Sequence, residues 1–164
     1  MRSEKPHFFR IRKAELSDVE QIAKIRLAFL QELDEHSSDI DYEKLLDQTR
    51  EYFARKIQHD ELHTWFVLDK EKIVTVGSLL LIDMPPSIVG YGGGLEGYIF
   101  NIYTLPEYRR QGLAKKLTTK IIQEAKLKLC NRLWLMAAED IYKDFGFKYR
   151  NDVMDYTMAL RKNN

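Results

Sequence analysis

The segment from Gly97 to Leu129 constrains this chain more than any other. Gly97 to Thr104 is rich in Tyr, Ile and Phe and reads as a strand, which Leu105-Pro106 ends because proline cannot donate to a ladder. After a turn, Leu113, Leu117, Ile121, Ala125 and Leu129 recur every fourth residue, the inner stripe of a long helix that opens at Gly112. A helix start leaves several backbone N–H groups without partners and carries partial positive charge. In Arg109-Arg110-Gln111-Gly112-Leu113-Ala114 the glycine lets backbone approach an anion, the small alanine leaves room, and two arginines add charge. A phosphate cradle is the expectation. It is not a Walker loop, which ends in Gly-Lys-Ser/Thr, nor a dinucleotide fingerprint, which needs more than one glycine.

The remaining elements fall around this segment. Phe8 to Lys13 alternates apolar and charged residues as a half-buried strand does. Ser17-Asp18-Val19-Glu20 has the form of a capping box, with Ile22, Ile25, Phe29, Leu30 and Leu33 following at helical spacing. A second helical pattern runs from Asp41 to Ile57. Thr64–Leu68 and Ile73–Ile82 read as strands joined by the short charged turn Asp69-Lys70-Glu71-Lys72. Met84 to Gly94, with two prolines and clustered glycines, reads as a mobile loop. Arg132 to Met136 is a strand, Ala138 to Phe145 a short helix, and Tyr149 to Leu160 one or two closing strands. The order β-α-α-β-β-β-α-β-α-β(-β) predicts an α/β (α+β) fold. Its mixed central sheet has about six or seven strands with helices on both faces, in a single domain over residues 1–164.

Composition removes several classes of function. Lys plus Arg total 26 against 25 Asp plus Glu, a formal net charge of +1, which argues against a nucleic-acid partner. The apolar window Val74–Ile82 is too short for a membrane span, and no secretory leader precedes it, so a cytoplasmic chain starting near Met1 is expected. Cys130 is the single cysteine; among Leu127, Leu129, Leu133 and Trp134 it reads as a packing residue in a reducing compartment. His59 and His63 stand four apart in a helix-to-strand connection without a convincing third ligand, so no metal is expected.

Arg109, Gly112 and Ala114 match Arg-x-x-Gly-x-Ala, and the segment resembles the pyrophosphate-binding signature of GNAT N-acetyltransferases. Tyr98 to Arg109 resembles that family's fourth strand and turn, and Ala138 to Phe147 its Ala-x-x-x-Tyr-x-x-x-Gly-Phe segment. Two motifs in the right order on the right elements are far more specific than either alone. The resemblance implies acetyl-CoA as co-substrate. Main-chain groups of Ile102, Tyr103 and Thr104 would pair with the pantetheine arm, and backbone N–H groups of Arg109, Arg110, Gln111, Gly112, Leu113 and Ala114 would hold the pyrophosphate. Tyr142 would protonate the leaving thiolate, and the N–H of Thr104 would meet the carbonyl oxygen. Glu96, at the entrance of the fourth strand, is the candidate base. One departure stands out: Leu135, Met136 and Ala137 occupy positions where the family often carries Asn, Ser or Thr.

The function so implied is acetyl transfer to a primary amine. The connection between the first two helices and its flanks hold Glu32, Asp34, Glu35, Asp39, Asp41 and Glu43 with no Lys or Arg from Gln31 to Glu43. This predicts a cationic small-molecule or peptide amine as acceptor. A homodimer is compatible with this reading; a membrane partner is not expected. A non-catalytic acyl-CoA-binding partner module and an aminoacyl-tRNA acetyltransferase are the competing readings. The balanced charge disfavours the second.

Overall fold

The computed structural model describes residues 8–33, 39–86, 94–136 and 140–149. Its sheet is built outward from one tight hairpin. β2 (Leu62–Asp69) and β3 (Lys72–Met84) pair antiparallel from Leu62↔Leu80 to Asp69↔Lys72, and Lys70 takes φ +56° in the turn between them. β1 (Phe9–Lys13) lies antiparallel beside β2, and β4 (Gly94–Thr104) antiparallel beside β3. β5 (Arg132–Leu135) joins β4 in parallel, which requires a crossover; α3 (Leu113–Leu127) supplies it. The order is β1-β2-β3-β4-β5. Five strands thus stand among the described residues rather than six or seven. Tyr149 is in no strand, and the rest of the expected closing stretch to Leu160 lies outside the described residues.

Both faces of the sheet are covered, as expected. Leu62, Phe66 and Leu68 of β2 pack into one core with Ile22 of α1 (Val19–Leu33) and Phe53 of α2 (Tyr42–Gln58). Trp65 and Val67 pack into the other, with Leu113, Leu117, Ile121 and Ala125 of α3. Each such side chain, fully buried, contributes roughly 1.5–3 kcal/mol. This two-sided burial explains why β2 is buried almost throughout instead of alternating between buried and exposed.

Three local expectations change. The capping box sits two residues earlier: the Glu15 N–H donates to the Asp18 carboxylate at 2.8 Å, and Arg12 grips the same carboxylate at 2.7 and 2.8 Å. Glu20 is instead the tie between α1 and α2. Arg50 reaches it at 2.5 and 3.0 Å, and with Lys24 holds its carboxyl at about 2. Leu129 leaves the α3 stripe, because the helix ends at Leu127 and Leu129, at φ +60°, is 80% exposed. Cys130 packs at the edge of the α3 core, and burial pushes its thiol pKa up.

The most consequential irregularity lies in β4. Val76 pairs with Tyr103 and Ser78 with Phe100, so Asn101 and Ile102 face the single residue Gly77. This is a β-bulge, and Asn101 adopts φ +57°, a region asparagine tolerates better than most residues. Gly77 lies opposite it, close under the ends of packed side chains. A Cβ there would stand 2.6 Å from Ile102 Cδ1 and 2.9 Å from Leu117 Cδ2.

His59 and His63 do not share a face. His59 caps α2, its ring against the Arg55 carbonyl, whereas His63 is buried in β2 and stacked on Trp65. Its Nε2 is 3.5 Å from Asp60, too loose to hydrogen-bond, and neither ring nitrogen has a hydrogen-bond partner. Burial first, then Lys13, push its pKa below the ordinary 6.5. The neutral ring is therefore the folded form, and the unfolded chain binds the extra proton. This stability contribution is complete above 6.5 and is lost as pH falls from there through the lowered native value. Melting temperature should drop between pH 7.5 and 5. His63→Phe should show a shallower drop; an unchanged slope would remove His63 as its source.

Candidate active site

β5 is short, and that makes the site. It pairs with β4 only from Glu96↔Arg132 to Ile99↔Leu135. Beyond Ile99 the bulge re-aims β4 and no described strand continues beside it, so the sheet splits. The gap is a cavity of about 1050 Å³. Arg26, Phe29, Leu30 and Leu33 of α1 line one side, and residues 98–104 of β4 form the floor. The turn into α3 lines another side, and Leu135, Met136, Ile141 and Tyr142 complete the wall.

The start of α3 is open to this space. Gly112 sits there at φ +75° with no heavy atom within 4 Å of where a Cβ would be. No side chain caps the helix, its first turn holds no acidic residue, and its first internal bond runs from the Lys116 N–H to the Gly112 carbonyl at 3.0 Å. The N–H groups of Leu113, Ala114 and Lys115 therefore have no acceptor within the helix. A diphosphate fits this cradle, since space, backbone donors and dipole agree.

The predicted residues are not all brought to the cavity as free groups. The Arg109 N–H is spent on the Pro106 carbonyl at 3.2 Å. Its guanidinium grips Glu32 of α1 at 2.6 and 2.8 Å, donates to the Thr104 carbonyl at 3.0 Å, and lies over the Tyr103 ring. The Tyr103 hydroxyl donates to the same Glu32 at 2.9 Å. Arg109 and Tyr103 together hold the Glu32 carboxyl below its usual range. Arg109 thus clamps α1 to the turn rather than offering an unpaired charge. Arg110, exposed at φ +64°, the buried Leu113 and Ala114 line the cavity; Gln111 does not.

Tyr142 is in the cavity wall, on the 3-10 turn Asp140–Phe145, braced edge-on by Phe147 at 6.2 Å. Ile102, Tyr103 and Thr104 are there too. Glu96 is not. It is 4% exposed between Ile82 and Arg132, its carboxylate 3.7 Å from the Arg132 guanidinium, and it does not line the cavity. Among the lining residues that sequence reasoning did not single out are Arg26 and Asn101. A signal existed for each. Arg26 interrupts the apolar stripe between Ile22 and Phe29, and Asn101 is the one polar side chain within the apolar run Ile99–Tyr103 that can take a left-handed turn.

A strand that parts from its neighbour at a bulge, leading into an uncapped helix start, can be compared with known proteins. Residues 22–147 match the sequence profile of the acetyltransferase (GNAT) family. The chain belongs to the GNAT acetyltransferases. It is 31% identical over 156 residues to the thialysine N-epsilon-acetyltransferase of Bos taurus, covering 85% of this chain and 84% of that one. A predicted acetyltransferase of Clostridium acetobutylicum, solved with acetyl-CoA, superposes with a TM-score of 0.83 at 24% identity, covering 95% of this chain and all of that one. An aminoglycoside acetyltransferase from an uncultured soil sample, in complex with trehalose, shares the fold at 0.69 and 19% identity, over 96% of this chain and all of that one. As a GNAT acetyltransferase the chain is an acetyl-CoA-dependent N-acetyltransferase. Among the described residues no helix is long and apolar enough to cross a membrane, and no group of three or more metal-ligating side chains is present.

Proposed function

We propose that this GNAT enzyme moves the acetyl group of acetyl-CoA directly to the primary amine of a small molecule, with Tyr142 as general acid. The observation that carries this reading is that Tyr142 and the uncapped start of α3 border the same cavity, at the point where β5 leaves β4. Acetyl-CoA supplies the activated thioester. The backbone N–H groups from Arg110 to Ala114 bind its pyrophosphate, and the outer edge of β4 at Ile102, Tyr103 and Thr104 aligns its pantetheine arm as an added strand would be aligned. The Thr104 N–H faces the charge that builds on the carbonyl oxygen. The amine nitrogen forms the new C–N bond, the C–S bond breaks, and the Tyr142 phenol gives its proton to the departing sulfur, while the proton that nitrogen loses leaves through water and the phenolate is reprotonated from solvent. A phenol suits this step because it stays protonated at neutral pH. Glu96 reaches the amine only through water, since its side chain lies outside the lining.

The acidic connection supports a cationic acceptor less than its sequence suggests. Glu32 is engaged by Arg109, and Asp41 caps α2 by accepting from the Lys44 N–H at 3.0 Å. Asp34 and Glu35 lie outside the described residues. Among the described residues the cationic reading therefore rests on Glu43, which is exposed. The test is release of free thiol from acetyl-CoA across a panel of primary amines. Amine-dependent release is expected. Tight acetyl-CoA binding without release for any amine would make the chain a binding module instead.

A further inference from the structure

We infer that the acceptor is an amino carboxylate, and that Arg26 and Asn101 select it by holding its carboxylate. This rests on the acetyl-transfer reading and names its substrate class.

Arg26 projects from α1 into the cavity, over the Phe100 ring at 5.5 Å. Its one polar contact among the described residues is a long one, Nη1 to the Asn101 Oδ1 at 3.4 Å. No carboxylate among the described residues pairs with it, and burial pulls its pKa down, the mark of a desolvated cation waiting for a counter-charge. Asn101 supplies an independent sign. It is 4% exposed, lines the same cavity, is held left-handed by the bulge, and its Nδ2 has no hydrogen-bond partner. A guanidinium and an orphaned amide N–H₂ side by side offer donors only. The group that satisfies both is an acceptor-only anion, and a carboxylate matches the planar fork of arginine.

The surroundings agree. The cavity lining includes Arg26, Arg109, Arg110 and Lys115 but neither Asp nor Glu among the described residues. Of these, Arg109 is balanced by Glu32 and Lys115 by Asp144 at 3.1 Å. Arg26 stands on the α1 face of the sheet, whereas the phosphate cradle belongs to α3 on the opposite face. The cofactor's phosphates are therefore not its natural partner. Phe29, Tyr98 and Phe100 give the rest of the α1 side an aromatic wall suited to a methylene chain.

The experiment compares ω-amino carboxylates with n-alkylamines of matched length, and lysine with cadaverine. Wild type should favour the best-fitting carboxylate over its matched amine by on the order of 10- to 10²-fold in kcat/KM. In Arg26→Gln that ratio should collapse to about one through a rise in KM for the carboxylates. Arg26→Lys, which keeps charge but loses the fork, should fall between. A wild type that acetylates both members of each pair equally would overturn the inference and leave the acetyl-transfer reading intact. Binding of hexanoate, which has no amine, gives the complementary readout by calorimetry. Binding that Arg26→Gln abolishes supports the anion site even if no amine is acetylated; equal binding by both proteins refutes it.

Discussion

Tyr142→Phe should slow acetyl transfer by about 10²–10⁴-fold while leaving acetyl-CoA affinity within a few-fold of wild type. The change removes one hydroxyl from a ring whose packing against Phe147 does not depend on it. A thiolate leaving without a proton is the costly event, so the loss should appear in kcat and not in KM. Single-turnover kinetics at saturating acceptor isolates that step. The pH profile adds a second sign: a fall in rate at high pH is expected of wild type and should be missing from the variant. A rate near wild type would return Tyr142 to a packing role.

Gly112→Asp should weaken acetyl-CoA binding by about 10²-fold or more. The added carboxylate would occupy the empty space beside the helix start, where no heavy atom lies within 4 Å of a Cβ. At ~4 Å from a phosphate, two like charges repel by roughly 4 kcal/mol near a protein surface. The left-handed backbone at φ +75° adds a conformational cost that aspartate shares with asparagine. Gly112→Asn therefore separates the causes: nearly the same size and backbone, but no charge. Calorimetry should rank the affinities wild type, then Asn, then Asp, with Arg110→Ala close to wild type because backbone groups form most of the cradle. Equal affinity in the Asp variant would remove the phosphates from this helix start.

What was legible in the sequence was whatever local chemistry decides. The strand, proline, glycine and four-residue apolar spacing from Gly97 to Ala125 fixed a strand–turn–helix, and Tyr142 lines the cavity that this segment borders. What was not legible depends on which strand meets which. The bulge at Asn101 and Ile102 is a matter of register with Gly77 of another strand, and no reading of β4 alone contains it. Arg109 looked like a phosphate ligand because its partner Glu32 is far away along the chain and comes close only when α1 packs against β4. The placing of Glu96 was hidden for a related reason. Alternation along a strand names two faces, but only the register with β3 and β5 shows that this carboxylate is buried beside Arg132, away from the split between the strands.

Direct transfer from cofactor to amine is the claim on which everything else depends, and following an isotope through one turnover tests it. Acetyl-CoA labelled at the acetyl carbonyl, mixed with stoichiometric enzyme and an accepted primary amine, should deliver the label to the amide product by mass spectrometry. The quenched protein should carry none. Label on the protein, or label released as acetate at the same rate with and without amine, would contradict the account.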